Sequence, residues 1–236
     1  MNILGIISTR LVMDRSDILK DGKPELMNNE FGQATVFRTD KTALILRHGN
    51  DPNHHILPHA VNYRANIGAL KDIGVKEIVG IHSTGSLKKA IRPGTIVIPD
   101  DFLTLTATPT AFNNRAVHMT PSLNEIVRRK IIEAAERTDL KVKKRGTYWQ
   151  TQGPRLETKA EVGMMANFAD IVGMTMANEA VIAQELEIPY ASACSVDNFG
   201  NGILEKPLSI EEILDGTRKN ADRMIQLLHS YLTLSS

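Results

Sequence analysis

Seven short runs of branched and other apolar residues recur along the chain, at positions 3–8, 43–47, 77–82, 95–99, 146–151, 170–174 and 189–196. Between them lie stretches whose apolar residues repeat at helical spacing. Several of the runs are continuously apolar instead of alternating, which is the pattern of strands covered on both faces. Strands of that kind need helices packed above and below, so the chain reads as a largely buried sheet flanked by helices, an α/β fold.

The helical segments carry their own boundary signals. Residues 62–73 place Ala65, Ala69, Leu70 and Ile73 on one face and end at Gly74, a residue suited to a left-handed cap. Thr120 followed by Pro121 predicts an N-cap and first turn for a helix running through Ile126, Val127, Ile131 and Ala135. Segments 157–168 and 178–186 read as two further helices. Ser209 and Glu212 match a capping box that opens a last helix through Ile213, Ala221, Met224, Leu228 and Tyr231. The stretch 104–115, rich in Thr, Pro and Asn, reads as a long exposed loop. Neither a repeat nor a linker-like change of composition divides residues 1–236, which predicts one domain.

Composition removes several classes of function. The 28 Lys and Arg nearly balance the 27 Asp and Glu, so no basic excess points to nucleic acid. No apolar run approaches membrane-spanning length, and the first ten residues do not resemble a signal peptide. A single cysteine, Cys194, allows no internal disulfide and fits a reducing, cytoplasmic setting. His48, His54, His55 and His59 form a His-rich stretch without the HExxH or CxxC spacing of a metal site, so no metal is expected. A GxSxG elbow, a Walker A loop and a GxGxxG fingerprint are all missing.

Four polar clusters fall where predicted strands end: Ser8-Thr9-Arg10, Arg47-His48-Gly49, His82 to Ser86, and Met174-Thr175. Strand ends are where open α/β sheets place ligands. Hydroxyls, glycine-flanked amides, an arginine and a histidine together suit an oxyanion. Singly, each cluster is equally at home in a turn or a helix cap.

In register with these clusters stand His59-Ala60-Val61-Asn62-Tyr63-Arg64-Ala65-Asn66-Ile67, Thr84-Gly85-Ser86-Leu87, Pro93-Gly94, Gly146-Thr147-Tyr148, Gly153-Pro154-Arg155, Ala160-Glu161 and Gly173-Met174-Thr175. With Arg47-His48-Gly49 they resemble, over nearly the whole chain, the trimeric purine nucleoside phosphorylase and 5′-methylthioadenosine phosphorylase family. The resemblance implies a single-domain three-layer fold with a distorted, mixed central sheet. It implies a homotrimer, which in some cases pairs into a hexamer, with sites near subunit interfaces. The implied reaction is phosphorolysis, in which a purine nucleoside and inorganic phosphate give a free purine and a ribose 1-phosphate or its 5-methylthio counterpart. Phosphate is a co-substrate and no cofactor takes part. By the same resemblance Thr9 or Ser8, Arg47, His48, Ser83 and Thr175 surround phosphate, with His82 and Thr84 as neighbours, and Met174 packs on the ribose.

Departures from the family carry the substrate reading. The methylthioadenosine branch reads its base with Thr-Asp-Tyr-Asp, whereas the matching segment here is Asp197-Asn198-Phe199-Gly200. Asn198 and Gly200 thus replace both carboxylates, which suits a 6-oxopurine. Glu157, beside Leu156, stands where the inosine- and guanosine-cleaving branch has a glutamate that accepts the N1 proton. Adenine has no such proton, so a closed pocket would leave that carboxylate unpaired. On the last helix, Ile210, Ile213 and Leu214 share a face where inosine-cleaving relatives have a histidine for the 5′-hydroxyl. An apolar wall there fits a 5′-methylthio group, although any amphipathic helix shows such a face. The expected substrate is 5′-methylthioinosine or a similar 6-oxopurine nucleoside, with Asn198, Glu157 and His48 as the catalytic set. The first loop, Ser8-Thr9-Arg10-Leu11, lacks the family's glycines. That departure keeps a nucleoside hydrolase or a non-catalytic nucleoside-binding protein as alternatives, beside a methylthioadenosine phosphorylase.

Overall fold

In the computed structural model, which describes residues 3–19, 22–51 and 53–234, the apolar runs form the middle of one mixed sheet. The first half of the chain comprises β1 (Leu4–Ser8), α1 (Arg10–Met13), β2 (Lys23–Asn29), β3 (Gly32–Arg38), β4 (Thr42–Leu46), α2 (Tyr63–Ile73), β5 (Glu77–Ser86), β6 (Ile96–Val97) and β7 (Asp101–Thr104). There follow α3 (Glu125–Arg137), β8 (Val142–Lys143), β9 (Thr147–Gln150), α4 (Lys159–Met165), β10 (Ile171–Gly173), α5 (Met176–Glu185), β11 (Tyr190–Phe199) and α6 (Ile210–Leu234).

The sheet runs β2-β3-β4-β1-β5-β10-β9-β7, and β11, β6 and β8 join it through β5. β5 is the branch point. Its first residues pair in parallel with β1, from Leu4↔Glu77 to Ile7↔Gly80. Its last two pair antiparallel with β10, at Val172↔Gly85 and Ile171↔Ser86. β11 pairs in parallel along the length of β5, with one irregularity between Val196 and Asn198 that leaves Asp197 outside the register. Such a bulge bends a strand and re-aims the side chains beside it.

The core has a layer on each side of the sheet. One joins Ile7, Ile45 and Ile78 to α2 and α5 through Ile67, Leu70, Met176 and Ile182. The other joins Ile6, Leu44 and Val79 to α3 and α6 through Val127, Ile131, Met224 and Leu228. A smaller cluster of Leu87, Trp149, Val162, Met165 and Val172 holds α4. This is the expected three-layer α/β arrangement. α6 lies directly on β11, because a Cβ at Gly216 would overlap the Asp197 carbonyl oxygen.

Several boundaries differ from the sequence reading. β2 and β3 form a hairpin that no apolar run announces, because most of their side chains are exposed or half-buried. β5 and β11 extend past their apolar runs into the polar residues Ser83–Ser86 and Asp197–Phe199, held there by mutual pairing. α3 starts at Glu125, where the Asn124 side chain accepts from the Val127 amide at 3.1 Å. Thr120 instead accepts from the Gln184 side chain through its carbonyl. α4 starts at Lys159 behind a capping box of Thr158 and Glu161, so Glu157 lies outside the helix. Residues 105–124 contain no helix or strand. That loop is not wholly exposed: Ala111 is buried and its amide donates to Glu185.

Candidate active site

Where β5 exchanges β1 for β10, the C-terminal ends of β1, β4, β5 and β11 open into a cavity of about 320 Å³. Thr9, Arg47, His48, Ser83, Thr175, Leu156, Glu157, Met174, Asn198, Gly200 and Ile213 all border it. A change of partner along a strand leaves a crevice beside it, and strand ends bring loop and helix termini to its rim.

The floor rests on a buried ionic network. Arg47 follows β4 directly, and Glu179 lies in the first turn of α5, each side chain 1% exposed. The Arg47 Nε and Nη2 donate to the two oxygens of Glu179, the latter at 3.2 Å. Nη1 donates to the Ile81 carbonyl at 3.1 Å and Nη2 to that of Ile7 at 3.3 Å. Burial pushes the Glu179 carboxyl up, but Arg47 and His82 pull it down further, to about 2. The Tyr190 hydroxyl donates to Glu179 at 2.8 Å and lies 2.8 Å from His82 Nε2. His82 Nδ1 lies 2.9 Å from Thr175 Oγ1. Burial, reinforced by Arg47, lowers His82 to about 4, so the ring is neutral at pH 7. With Tyr190 donating to Glu179, Nε2 carries the ring proton and Thr175 donates to Nδ1. The chain of protons from Thr175 therefore runs toward the buried carboxylate.

Around this floor stand groups suited to an oxyanion. Thr9 Oγ1 is buried and has no hydrogen-bond partner among the described residues, a costly state unless a ligand fills it. Ser83 borders the cavity one residue beyond His82. His48 is half-buried; its Nδ1 donates to the Ile56 carbonyl at 2.7 Å, and its ring stacks on His55 with centroids 4.6 Å apart. Burial and then Arg47 push His48 down to about 4. The neutral ring turns Nε2 outward as an acceptor.

Along β5 from Ser83 to Gly85 and Ser86, roughly 7–10 Å at the usual strand rise, the lining changes character. Gly200 donates its amide to the Ser86 carbonyl at 2.8 Å. The Asn198 amide group donates to the Phe199 carbonyl at 2.8 Å, leaving Oδ1 as an acceptor. Glu157 Oε1 accepts from the Thr151 hydroxyl at 2.7 Å. Leu57, Pro58, Leu208 and Ile213 add an apolar wall. The bulge at Asp197 sends that side chain to α6, where Thr217 and Asn220 donate to it at 2.7 Å each. Burial raises the Asp197 carboxyl above its usual value.

Four residues named from the sequence do not reach the cavity, Leu214 of α6 among them, 40% exposed. Ser8 is buried within β1. His82 sits behind Thr175. Ile210, the first residue of α6, is 57% exposed and away from the lining. The sequence reading also lacked Glu179, Tyr190, Thr151 and Leu208. Glu179 had a usable signal: a carboxylate among Ala177, Ala180, Val181 and Ile182 has to find a buried cation. Tyr148 and Gln150 had none, yet they satisfy the first turn of α5. The Tyr148 hydroxyl accepts from the Thr175 and Met176 amides, and Gln150 Oε1 accepts from that of Ala177 at 2.6 Å.

A mixed sheet with this branch and this cavity is the fold of nucleoside phosphorylases. The methylthioadenosine phosphorylase of Schistosoma mansoni, solved in complex with adenine, superimposes with a TM-score of 0.90 at 25% identity, covering 100% of this chain and 92% of that one. The phosphorylase superfamily model matches residues 18–233, and the chain belongs to that family of enzymes. A probable 6-oxopurine nucleoside phosphorylase of Archaeoglobus fulgidus is 36% identical over 231 residues, 96% of this chain and 94% of that protein. A probable S-methyl-5′-thioinosine phosphorylase of Methanocaldococcus jannaschii is 35% identical over 224 residues, 92% and 88% of the two chains.

Proposed function

We propose that the protein cleaves purine nucleosides by phosphorolysis, and that its substrates are 6-oxopurine nucleosides with an apolar 5′ group, 5′-methylthioinosine foremost. One observation carries this reading. A single cavity holds hydroxyl groups beside the Arg47 guanidinium and, one strand-end further along, a carboxylate and an amide at Glu157 and Asn198.

In the reaction the bond from C1′ to the purine nitrogen breaks, and a phosphate oxygen bonds to C1′. Positive charge builds on the sugar and negative charge on the leaving base. Phosphate held at Thr9, Ser83 and the cavity-facing edge of Arg47 stabilises the first, with Thr175 Oγ1, whose own proton goes to His82, accepting from a phosphate hydroxyl. His48 Nε2 accepts a hydrogen bond from a phosphate or sugar hydroxyl. Asn198 and Glu157 hold the base; the electron pair of the broken bond stays on the purine, which takes a proton from solvent at N7 and presents that N–H to Asn198 Oδ1. Glu157 accepts from N1–H, a donor that hypoxanthine and guanine have and adenine lacks. Met174 packs on the ribose, and Ile213 with Leu208 receives the 5′ group. Phosphate is the co-substrate, with no metal or organic cofactor.

A homotrimer, or a pair of trimers, belongs to the same proposal. Leu105 and Met164, 75% and 46% exposed, border one surface cavity and are the kind of apolar residues a second subunit covers. The cytoplasm is the proposed compartment. No helix among the described residues is long and apolar enough to cross a membrane, and burial raises the Cys194 thiol to about 12, an inert form.

Product analysis with 5′-methylthioinosine, inosine and 5′-methylthioadenosine, each with and without phosphate, tests the reading. The methylthioinosine should be cleaved fastest, only with phosphate, and to hypoxanthine plus a sugar phosphate. Cleavage without phosphate would establish a hydrolase instead. A preference for the adenine compound would establish a methylthioadenosine phosphorylase.

A further inference from the structure

Glu157 stands between the helix cap of α4 and the loop after β9, where no regular element sets its side chain. A glutamate in such a place has three rotors to spend before it can read a base. Its main chain is held, since the Asn201 side chain donates to the Glu157 carbonyl at 3.3 Å. Among the described residues its carboxylate accepts one hydrogen bond, from the Thr151 hydroxyl at 2.7 Å. The guanidinium of nearby Arg155 donates its two terminal nitrogens to Glu161 at 2.8 and 2.7 Å, so it acts on Glu157 through its charge alone.

We propose that Thr151 is the positioning residue that makes Glu157 discriminate between 6-oxo and 6-amino purines; this rests on the base reading proposed above. The direction of the hydrogen bond is fixed, because an ionised carboxylate only accepts. Thr151 is itself rigid: its amide donates to the Gly173 carbonyl at 2.9 Å, tying it to the end of β10. Glu157 borders two cavities, that of the nucleoside and a neighbouring one of about 270 Å³, whereas Thr151 borders only the second. The hydroxyl therefore draws Oε1 to the far side. Oε2, which accepts no hydrogen bond among the described residues, is left as the acceptor for N1–H. Against adenine the same oxygen meets the N1 lone pair and cannot turn away without giving up Thr151. Without the hydroxyl nothing holds Oε1 on the far side, and the carboxylate turns freely between the two cavities it borders. The 6-oxo nucleoside then loses its fixed acceptor and the 6-amino nucleoside loses its fixed repulsion, so both changes narrow the preference.

The experiment compares kcat/KM for 5′-methylthioinosine and 5′-methylthioadenosine at saturating phosphate in the wild type, Thr151→Val and Thr151→Ser. Thr151→Val keeps the shape and removes the donor, and should reduce the oxo-to-amino ratio by about tenfold to a hundredfold, the scale of one hydrogen bond to a charged group. Thr151→Ser restores the hydroxyl and should restore the ratio. If Thr151→Val does not fold, Thr151→Ala read against Thr151→Ser gives the same comparison. A Thr151→Val enzyme that slows equally on both nucleosides overturns the role assigned to Thr151. A wild type without a preference for the 6-oxo nucleoside overturns the base reading beneath it, so the two failures are distinct.

Discussion

Replacing Glu179 by glutamine should leave the Arg47 guanidinium buried with no counter-ion. The substitution nearly preserves volume, so its effect reports charge. At the 3.2 Å separation of Nη2 and Oε2, attraction at an effective dielectric of about 20 amounts to roughly 5 kcal/mol. Breaking one side of a buried pair typically costs about 3–5 kcal/mol. For a chain of this size that lowers the melting temperature by about 6–20 °C. Arg47 also borders the cavity, so an anion there replaces part of the missing charge. Urea unfolding followed by circular dichroism, with and without phosphate, reads both effects. Glu179→Gln should lose stability by the stated amount, and phosphate should stabilise it more than it stabilises the wild type. A loss below about 1 kcal/mol, the range of exposed pairs, would refute the buried-pair argument. Equal stabilisation of both proteins by phosphate would refute the coupling of Arg47 to the cavity.

Stability should also decline in acid. His48 and His82 sit near 4 when folded against 6.5 ordinarily, and Glu179 near 2 against 4.5. Each shift is downward, so the unfolded chain binds more protons and stability is lost as pH falls. The histidines act from about 6.5 to 4 and Glu179 from about 4.5 to 2; an unfolding midpoint that stays flat between pH 7 and 4 would contradict this. Thr9→Val should raise the KM for phosphate by about tenfold or more while leaving the nucleoside dissociation constant unchanged. An unaltered phosphate KM would remove Thr9 from the anion site.

The legible parts of the fold are those buried on both faces. β1, β4 and the first halves of β5 and β11 are continuous apolar runs because helices cover them above and below. The β2–β3 hairpin lies at the sheet margin, where exposed residues leave no apolar period to find. The Thr158–Glu161 capping box is a local signal in the sequence, and it sets the helix start at Lys159, two residues after the predicted start at Glu157. In the site, Glu157 and Asn198 could be named by resemblance because their chemistry resides in their own side chains. The Arg47–Glu179 pair spans 132 positions, and no local pattern announces such a partner. Thr151 reads in sequence as one more polar residue at a strand end; only the folded chain brings it to Glu157.

The branching of β5 has a consequence for how ligand and fold are linked. The cavity draws on Thr9, Arg47, Ser83, Glu157, Thr175, Asn198 and Ile213, which come from widely separated stretches of the chain. No fragment of the sheet holds more than a part of it. A ligand that binds only the complete site adds RT ln(1 + [L]/Kd) to the whole structure, about 2.7 kcal/mol at a hundredfold excess over Kd. Backbone amides in β1, β4, β5 and β11 then share in that protection against hydrogen exchange. The β2–β3 hairpin contributes no cavity residue, and it remains free to fray at the margin of a sheet whose centre the ligand has closed.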